Sequence, residues 1–290
     1  AFVRTIYVLI AAGSTLAIVQ LFNPTVFVEA TTGGGRGAGL WINPNLCSAV
    51  CAAGVVLSLM FPFRFILVNV AVRAVLLTGA GRGFCAGQDL QDRAVNAGGP
   101  GGAAPPDLSE SLEMRYNPVI RLITSMPKPV VCAVNGVAAG AGANLAIACD
   151  IVIAARSAKF IEVFSDIGLI PDAGGTWFLP RLVGRSRAMG LAMLAHRLSA
   201  EEAAAWGLIW AAVDDDQLMN EAGGIATRFA AGPTKGYGLI KRAMLASASN
   251  SLDEQLDLER DLQGEAGRSA DYAEGVRAFF EKRTPEFEGR

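Results

Sequence analysis

From Val72 onward, short apolar runs alternate with helical segments, and this alternation restricts the chain to few fold classes. The runs Val72–Thr78, Val130–Val134 and Ile151–Ala155 are five to seven residues long. Apolar runs of about this length, interrupted here at Arg73 alone among charged residues, are typical of strands buried on both faces of a sheet. Residues 109–124, between the first two runs, carry apolar residues at helical spacing. The pattern predicts an α/β fold with a largely buried sheet.

Charge and composition exclude several classes of function. The chain has 25 basic and 27 acidic residues and a net charge of −2, which does not predict binding to nucleic acid or to an anionic membrane. Hydrophobic residues make up 52% of the chain, which excludes wholesale disorder. The five cysteines form no C-x-x-C pair, so we expect a reduced, cytoplasmic location. A single histidine, His196, excludes any mechanism that needs two.

The first 70 residues contain far fewer charged residues than the rest of the chain. Their charged residues are Arg4, Glu29, Arg36 and Arg64. The stretches Ile6–Phe22 and Leu40–Met60 are nearly free of charge, and a membrane anchor is one interpretation because a helix of about 20 apolar residues spans a bilayer. The first stretch is marginal in length and polar residues interrupt the second. We therefore favour buried strands and a helix, and do not expect a membrane protein.

The differences in composition and predicted secondary structure divide the chain into three regions. Residues 1–70 stay unassigned and are interpreted as an N-terminal part of the core with an atypical sequence. Residues 71–198 form the α/β core, and residues 199–290 form a helical region. Ser199 followed by Glu202 is a capping-box signature, which marks the start of a helix at this boundary.

Two loops of small residues each follow a predicted strand. They are Gly83–Leu90 and Asn135–Asn144. Small residues let a backbone approach a ligand, and two N–H groups aimed at one point can stabilise a developing oxyanion such as that of a thioester. Alternatively, the small residues only permit close packing between helix and sheet. The glycine content alone does not decide between these interpretations.

A third loop, Ile167–Thr176, presents an acid among apolar neighbours. Asp172 follows a proline and precedes Ala-Gly-Gly. Desolvation disfavours the charged form of such a carboxylate, which suits a general base. The alternative is that Asp172 caps the helix that begins near Gly174, since aspartate is a preferred N-cap residue.

Taken together, these motifs resemble the crotonase, or enoyl-CoA hydratase/isomerase, superfamily. The resemblance runs from about Val72 to Arg290 and is carried by Val72–Gly79, Phe84–Leu90, Lys128–Gly136 and Ala148–Asp150. It implies a spiral core of ββα units and a C-terminal helical region that forms trimers. The resemblance also implies a homotrimer or hexamer that acts on an acyl-CoA.

The resemblance further implies a set of site residues. The backbone N–H groups of Gln88 and Ala141 would form the oxyanion hole. The positions that would bind coenzyme A are Cys85, Ala86, Asp89, Phe279 and Lys282. Coenzyme A is then part of the substrate, and neither a separate cofactor nor a metal is expected.

The side chains at the reacting centre favour isomerisation. Hydratases of this superfamily carry two glutamates, and the matching positions here are Asn144 and Phe164. The remaining acid is Asp172, which would move a proton between two carbons of the acyl chain. The sequence resembles in particular the phenylacetate-degradation branch, through Ala138–Leu145, Gly168–Asp172, Leu179–Gly184 and Gln263–Arg290. This resemblance implies conversion of a ring-epoxide phenylacetyl-CoA to an oxepin, or a shift of a 3-enoyl to a 2-enoyl double bond.

Three alternatives stay open at this point. One is an enoyl-CoA hydratase, and another is a scaffold that binds CoA esters without chemistry. The third is a NAD(P)-dependent short-chain dehydrogenase, because Thr78–Gly83 resembles its dinucleotide loop and Tyr237 and Lys241 have its Tyr-x-x-x-Lys spacing. Against this last alternative, Cys85 occupies the position of the final loop glycine.

Overall fold

The computed structural model describes residues 73–88 and 107–290 in full and, before them, the backbone of three strands, residues 6–12, 15–21 and 28–30. The described strands are β1 (Ile6–Ala12), β2 (Thr15–Leu21), β3 (Val28–Ala30), β4 (Ala74–Gly79), β5 (Gly83–Cys85), β6 (Val130–Val134), β7 (Val137–Ala139), β8 (Ile151–Ala155), β9 (Lys159–Ile161), β10 (Arg197–Ser199) and β11 (Ala211–Val213).

The described helices are α1 (Leu108–Ser111), α2 (Asn117–Ser125), α3 (Ala141–Ile147), α4 (Gly175–Leu194), α5 (Ala200–Ala205), α6 (Leu218–Ala231), α7 (Thr234–Ala246), α8 (Leu252–Gly267) and α9 (Ala270–Glu281). A π-helical turn, Leu112–Tyr116, joins α1 to α2, and a 3-10 turn, Ser165–Ile167, follows β9. Non-helical backbone at Gly184 interrupts α4.

The larger sheet contains the core of the described chain. Its strand order is β11-β8-β6-β4-β1-β2-β3. The strands β4, β6, β8 and β11 are parallel, whereas β1 pairs antiparallel with both β4 and β2. All five residues of β6 are buried, as its uninterrupted apolar run predicts for a central parallel strand.

The smaller sheet lies beside the first and has the order β10-β9-β7-β5. Strands β5, β7 and β9 are parallel to one another, and β10 runs antiparallel to β9. The chain alternates between the two sheets. Each of the strands β4, β6 and β8 of the larger sheet is followed by a strand of the smaller sheet and then by a helix. This repeated ββα unit places three loops at the carboxyl ends of β5, β7 and β9.

Helix α6 covers the larger sheet and contacts β4, β6 and β8. The side chains that face the sheet include Ala222, Ala226 and Ala230, which are fully buried at a spacing of four residues. A stripe of methyl groups along one helix face lets the helix lie close to the strands. The apolar face of α6 thereby closes the core.

The predictions for the first 70 residues are only partly within the described chain. The described part of Ile6–Phe22 forms two antiparallel strands rather than a helix. Residues 40–60, the second apolar stretch, lie outside the described residues. Among the described helices, none has the length and apolar character that crossing a bilayer requires. The boundaries proposed at residues 70 and 198 stay predictions.

Candidate active site

Three loops meet at one edge of the smaller sheet. Because β5, β7 and β9 are parallel and adjacent, their carboxyl ends lie side by side, and ligands of α/β proteins bind preferentially at such an edge. The loops begin after Cys85, Ala139 and Ile161. They carry most of the residues that the sequence singled out, and the neighbouring loop before α4 carries Asp172.

Close backbone packing brings the first two loops together. A Cβ atom added to Gly142 would collide with the carbonyl oxygen of Cys85 and lie 2.7 Å from its Cβ. A Cβ on Gly87 would lie 3.6 Å from the backbone nitrogen of Ala141. The small residues therefore do permit close packing between the first loop and α3, as the alternative interpretation of these loops expects. The same packing brings the chain just before Gln88 close to the Ala141 N–H group.

The backbone around Ala141 is held by hydrogen bonds on both sides. The N–H of Gly140 donates to the carbonyl of Ile161 at 2.9 Å, and the carbonyl of Gly140 accepts from the N–H of Ala143 at 2.9 Å. Gly140 has a φ of +54°, in the region that favours glycine. Ala141 is the first residue of α3, so its N–H has no acceptor within the helix. This group has the character that an oxyanion donor requires.

Asp172 lies in a strained loop directly before α4. Ala173 and Gly174 both have positive φ, +48° and +83°. The carbonyl of Asp172 accepts hydrogen bonds from the N–H of Gly175 at 2.8 Å and from Nδ2 of Asn144 at 2.9 Å. The Oδ1 atom of Asp172 is shielded from solvent.

The alternative that Asp172 caps α4 is wrong. The cap position is occupied by Gly174, and no side chain of the described residues caps this helix. The positive φ at Ala173 and Gly174 turns the chain between Asp172 and the first helical turn, so the acid precedes the cap position by two residues. The interpretation of Asp172 as a general base stays a prediction.

Glu162 is a second acid in this region that the sequence analysis did not identify. It is 4% exposed, and its Oε2 accepts a hydrogen bond from Nδ2 of Asn144 at 3.3 Å. The pKa of Glu162 is raised to about 7, chiefly by burial, and the negative charge of Asp172 adds to the shift while the Asn144 hydrogen bond opposes it. Glu162 therefore changes its charge near neutral pH.

A signal for Glu162 is present in the sequence. Glu162 lies two residues after Phe160 of β9, and an extended chain would place these two side chains on one face. Phe160 and Phe164 are 4% and 5% exposed. The resemblance singles out Phe164, at the position of a hydratase glutamate, whereas the spacing from the buried Phe160 would have singled out Glu162.

Asn144 connects the two acids. Its side chain is fully buried, and its Nδ2 group donates to Glu162 and to the Asp172 carbonyl. A Cβ on Gly175 would lie 2.6 Å from the Oδ1 atom of Asn144, so only glycine at this position leaves room for the amide. The polar cluster of the site consists of Asn144, Glu162 and Asp172.

The structure places the predicted coenzyme A residues in two regions. Cys85 is the last residue of β5 and Ala86 begins the first loop. Burial raises the pKa of the Cys85 thiol, and the hydrogen bond from the Gly87 N–H partly opposes this shift. Asp89 lies outside the described residues. Phe279, which is 79% exposed, and Lys282 lie at the end of α9, a helix that packs on α8.

The residues behind the dehydrogenase alternative have structural roles. The Lys241 ammonium is buried and donates to the carbonyl of Ile123 at 2.5 Å and to Oδ2 of Asp150 at 2.8 Å. The ring of Tyr237 packs edge-on against Phe229. Lys241 therefore holds α7 against the core and is not presented to a cofactor.

Comparisons with known proteins agree with the resemblance. The sequence model of the enoyl-CoA hydratase/isomerase family matches residues 53–290. The chain is 61% identical over 219 residues to 1,2-epoxyphenylacetyl-CoA isomerase of Escherichia coli, covering 76% of this chain and 82% of that protein. It is 53% identical to a probable enoyl-CoA hydratase of Rhodobacter capsulatus, covering 75% and 82%.

A solved structure supports the fold. The crystal structure of a putative enoyl-CoA hydratase/isomerase from Mycobacterium abscessus superposes with a TM-score of 0.76 at 34% identity, covering 84% of this chain and 89% of the other. The predicted crotonase fold is thus confirmed, and the dehydrogenase alternative is set aside. This chain belongs to the enoyl-CoA hydratase/isomerase family.

Proposed function

We propose that the protein is an isomerase of acyl-CoA thioesters in which Asp172 moves the proton. The observation that carries the proposal is the pair Asn144 and Phe164. An amide committed to the Asp172 carbonyl and a buried ring occupy the positions where hydratases carry glutamates. The 61% identity to 1,2-epoxyphenylacetyl-CoA isomerase supports the same conclusion.

The proposed double-bond shift needs one base and one oxyanion hole. Asp172 accepts a proton from C2 of a 3-enoyl-CoA, and the electron pair of that C–H bond is delocalised to the thioester oxygen. The N–H groups of Gln88 and Ala141 donate hydrogen bonds to this oxygen. Asp172 then returns the proton to C4, and the double bond lies between C2 and C3. Atoms and charge balance without a cofactor, since coenzyme A is part of the substrate.

A ring epoxide on phenylacetyl-CoA is the second proposed substrate. Its conversion to an oxepin rearranges bonds within the ring and keeps every atom, so it is also an isomerisation. The same hydrogen bonds from the N–H groups of Gln88 and Ala141 to the thioester oxygen would position this substrate. The coenzyme A portion is proposed to bind at Cys85, Ala86, Asp89, Phe279 and Lys282. The cytoplasmic location of the protein stays a prediction.

Replacement of Asp172 by asparagine tests the proposal. Asp172→Asn keeps the shape of the side chain and removes the base, so we expect kcat for a 3-enoyl-CoA to fall by about 10²- to 10⁴-fold. The affinity for a CoA ester, measured by calorimetry, should stay within about threefold. Turnover at the parental rate would show that Asp172 is not the base.

Hydration is a second candidate, because a buried carboxyl at Glu162 faces a second acid in the same cluster. The two reactions give different products from a 2-enoyl-CoA. A hydratase forms a 3-hydroxyacyl-CoA and incorporates oxygen from labelled water, whereas an isomerase forms only the 3-enoyl isomer. Mass spectrometry of the products separates the two outcomes.

A further inference from the structure

Among the described residues, the Nδ2 group of the Asn144 amide has hydrogen-bond acceptors, whereas its Oδ1 atom has no donor. Its Nδ2 group donates to Oε2 of Glu162 and to the carbonyl of Asp172. Its Oδ1 atom is buried and has no hydrogen-bond partner within residues 73–88 and 107–290. A buried acceptor without a donor costs free energy, so a donor is expected beside it.

We propose that Glu162 is a positioning residue that acts in its protonated form by pairing with the Asn144 amide and so fixing the loop that carries Asp172. This inference rests on the proposed function only in taking Asp172 as the base. Glu162 itself is not assigned a contact with substrate.

The chemistry of the two side chains supports this pairing. A neutral carboxyl has one O–H donor and one carbonyl acceptor, and a primary amide has the complementary acceptor and donors. Protonated Glu162 can therefore donate to Oδ1 of Asn144 while it accepts from Nδ2. Ionised Glu162 has lost that donor, and it adds a second negative charge to the cluster that contains Asp172.

The electrostatic surroundings of Glu162 agree with a retained proton. Burial and the charge of Asp172 both raise its pKa, to about 7, and the Asn144 hydrogen bond is the opposing effect. Other charged residues of adjoining elements are Lys159 on β9, Asp166 in the 3-10 turn and Arg197 on β10. These three are not among the causes of the shift.

The first test is the pH dependence of kcat for a 3-enoyl-CoA. We expect wild-type kcat to fall above about pH 7, approaching tenfold per pH unit as one proton is lost. In Glu162→Gln an amide N–H replaces the carboxyl O–H, so kcat at pH 6 should stay within about threefold and the decline above pH 7 should disappear. Glu162→Ala should lower kcat at least tenfold, with KM changed by less than about threefold.

Glu221→Gln is the matched control, because Glu221 is exposed on α6. Its pH profile should follow the wild type. A decline above pH 7 that persists in Glu162→Gln would overturn the proposal. Wild-type kcat in Glu162→Ala would overturn it as well.

The second test reads the proton without turnover. With glutamate ¹³C-labelled at the carboxyl carbon, NMR should show one resonance that titrates near pH 7 and is missing in Glu162→Gln. In Asp172→Asn its midpoint should move to lower pH, because the neighbouring charge has been removed. A Glu162 resonance that titrates below pH 5 would overturn the inference, whereas parental activity of Asp172→Asn would overturn only the proposed function.

Discussion

Burial of the Glu162 carboxyl links the stability of the fold to pH. The pKa of Glu162 is about 7 in the folded protein and 4.5 as the ordinary value of the group. An acid whose pKa is raised by folding binds more protons in the folded state. Its contribution to the free energy of unfolding is therefore complete below about pH 4.5 and is lost as the pH rises through about 7.

We expect Glu162→Gln to remove this dependence. Between pH 5 and pH 8 the free energy of unfolding of the wild type should fall by about 2–3 kcal/mol relative to the variant. Urea denaturation of both proteins at the two pH values measures the difference. Equal pH dependence in the two proteins would contradict the assignment of the raised pKa.

Single residues of the site differ in how well sequence can predict them. Asp172 is conspicuous because it follows a proline and precedes two glycines. Its place outside the helix cap was not predictable, since the positive φ at Ala173 is unusual for a residue with a side chain. Glu162 was missed because no short motif marks it. Its burial follows from its place directly after β9 and from the contact with the Asn144 side chain of α3, and only the first of these is local in the sequence.

At the scale of the element, the junction between α3 and the first loop depends on the absence of a side chain. Gly142→Ala would force a Cβ against the Cys85 backbone, which cannot move without separating the loops. We expect a loss of stability of about 1–3 kcal/mol and a fall in kcat, because the Ala141 N–H would shift from its position. Thermal unfolding and steady-state kinetics measure the two effects.

Gly190 provides the comparison for this substitution. It lies inside α4, and a Cβ there would meet no atom within 4 Å. Gly190→Ala should therefore raise stability by up to about 1 kcal/mol, since alanine favours the helix, and should leave kcat unchanged. A similar response of both variants would mean that the close contact at Gly142 has no special role.

Elements were predictable where the pattern was long and entirely apolar. The predicted strands Val130–Val134 and Ile151–Ala155 match β6 and β8 residue for residue. The helix predicted over 109–124 is present over residues 108–125, with a π-helical turn that periodicity does not reveal. The three-residue strands β5, β7 and β9 are too short to show alternation, yet they support the site loops.

At the scale of the whole molecule, an apolar groove is the surface through which we expect copies of the chain to associate. A groove of about 670 Å³ lies between α4 and α7, and its lining includes Trp177, Ile240 and Met244. These side chains are 38%, 56% and 71% exposed. Large apolar side chains exposed together are typical of interaction surfaces. The assembly predicted from the sequence, a homotrimer or hexamer, would cover such a surface.

Light scattering after gel filtration measures this assembly. We expect three or six times the mass of one chain, and a smaller mass for Ile240→Lys, because a buried charge without a partner opposes association. Met219→Lys, at an exposed methionine on α6 outside the groove, should keep the wild-type mass. A monomeric wild type would contradict the prediction.

The amide of Asn144 serves two carboxyl-bearing residues at once, and this sharing limits how the pocket can be altered. A change at either acid alters the geometry or the charge felt by the other, so their effects should not add in a double-mutant cycle. The reaction at this edge of the sheet would then depend on Asn144, Glu162 and Asp172 together. Redesign, or natural divergence toward another reaction, would have to exchange all three residues together.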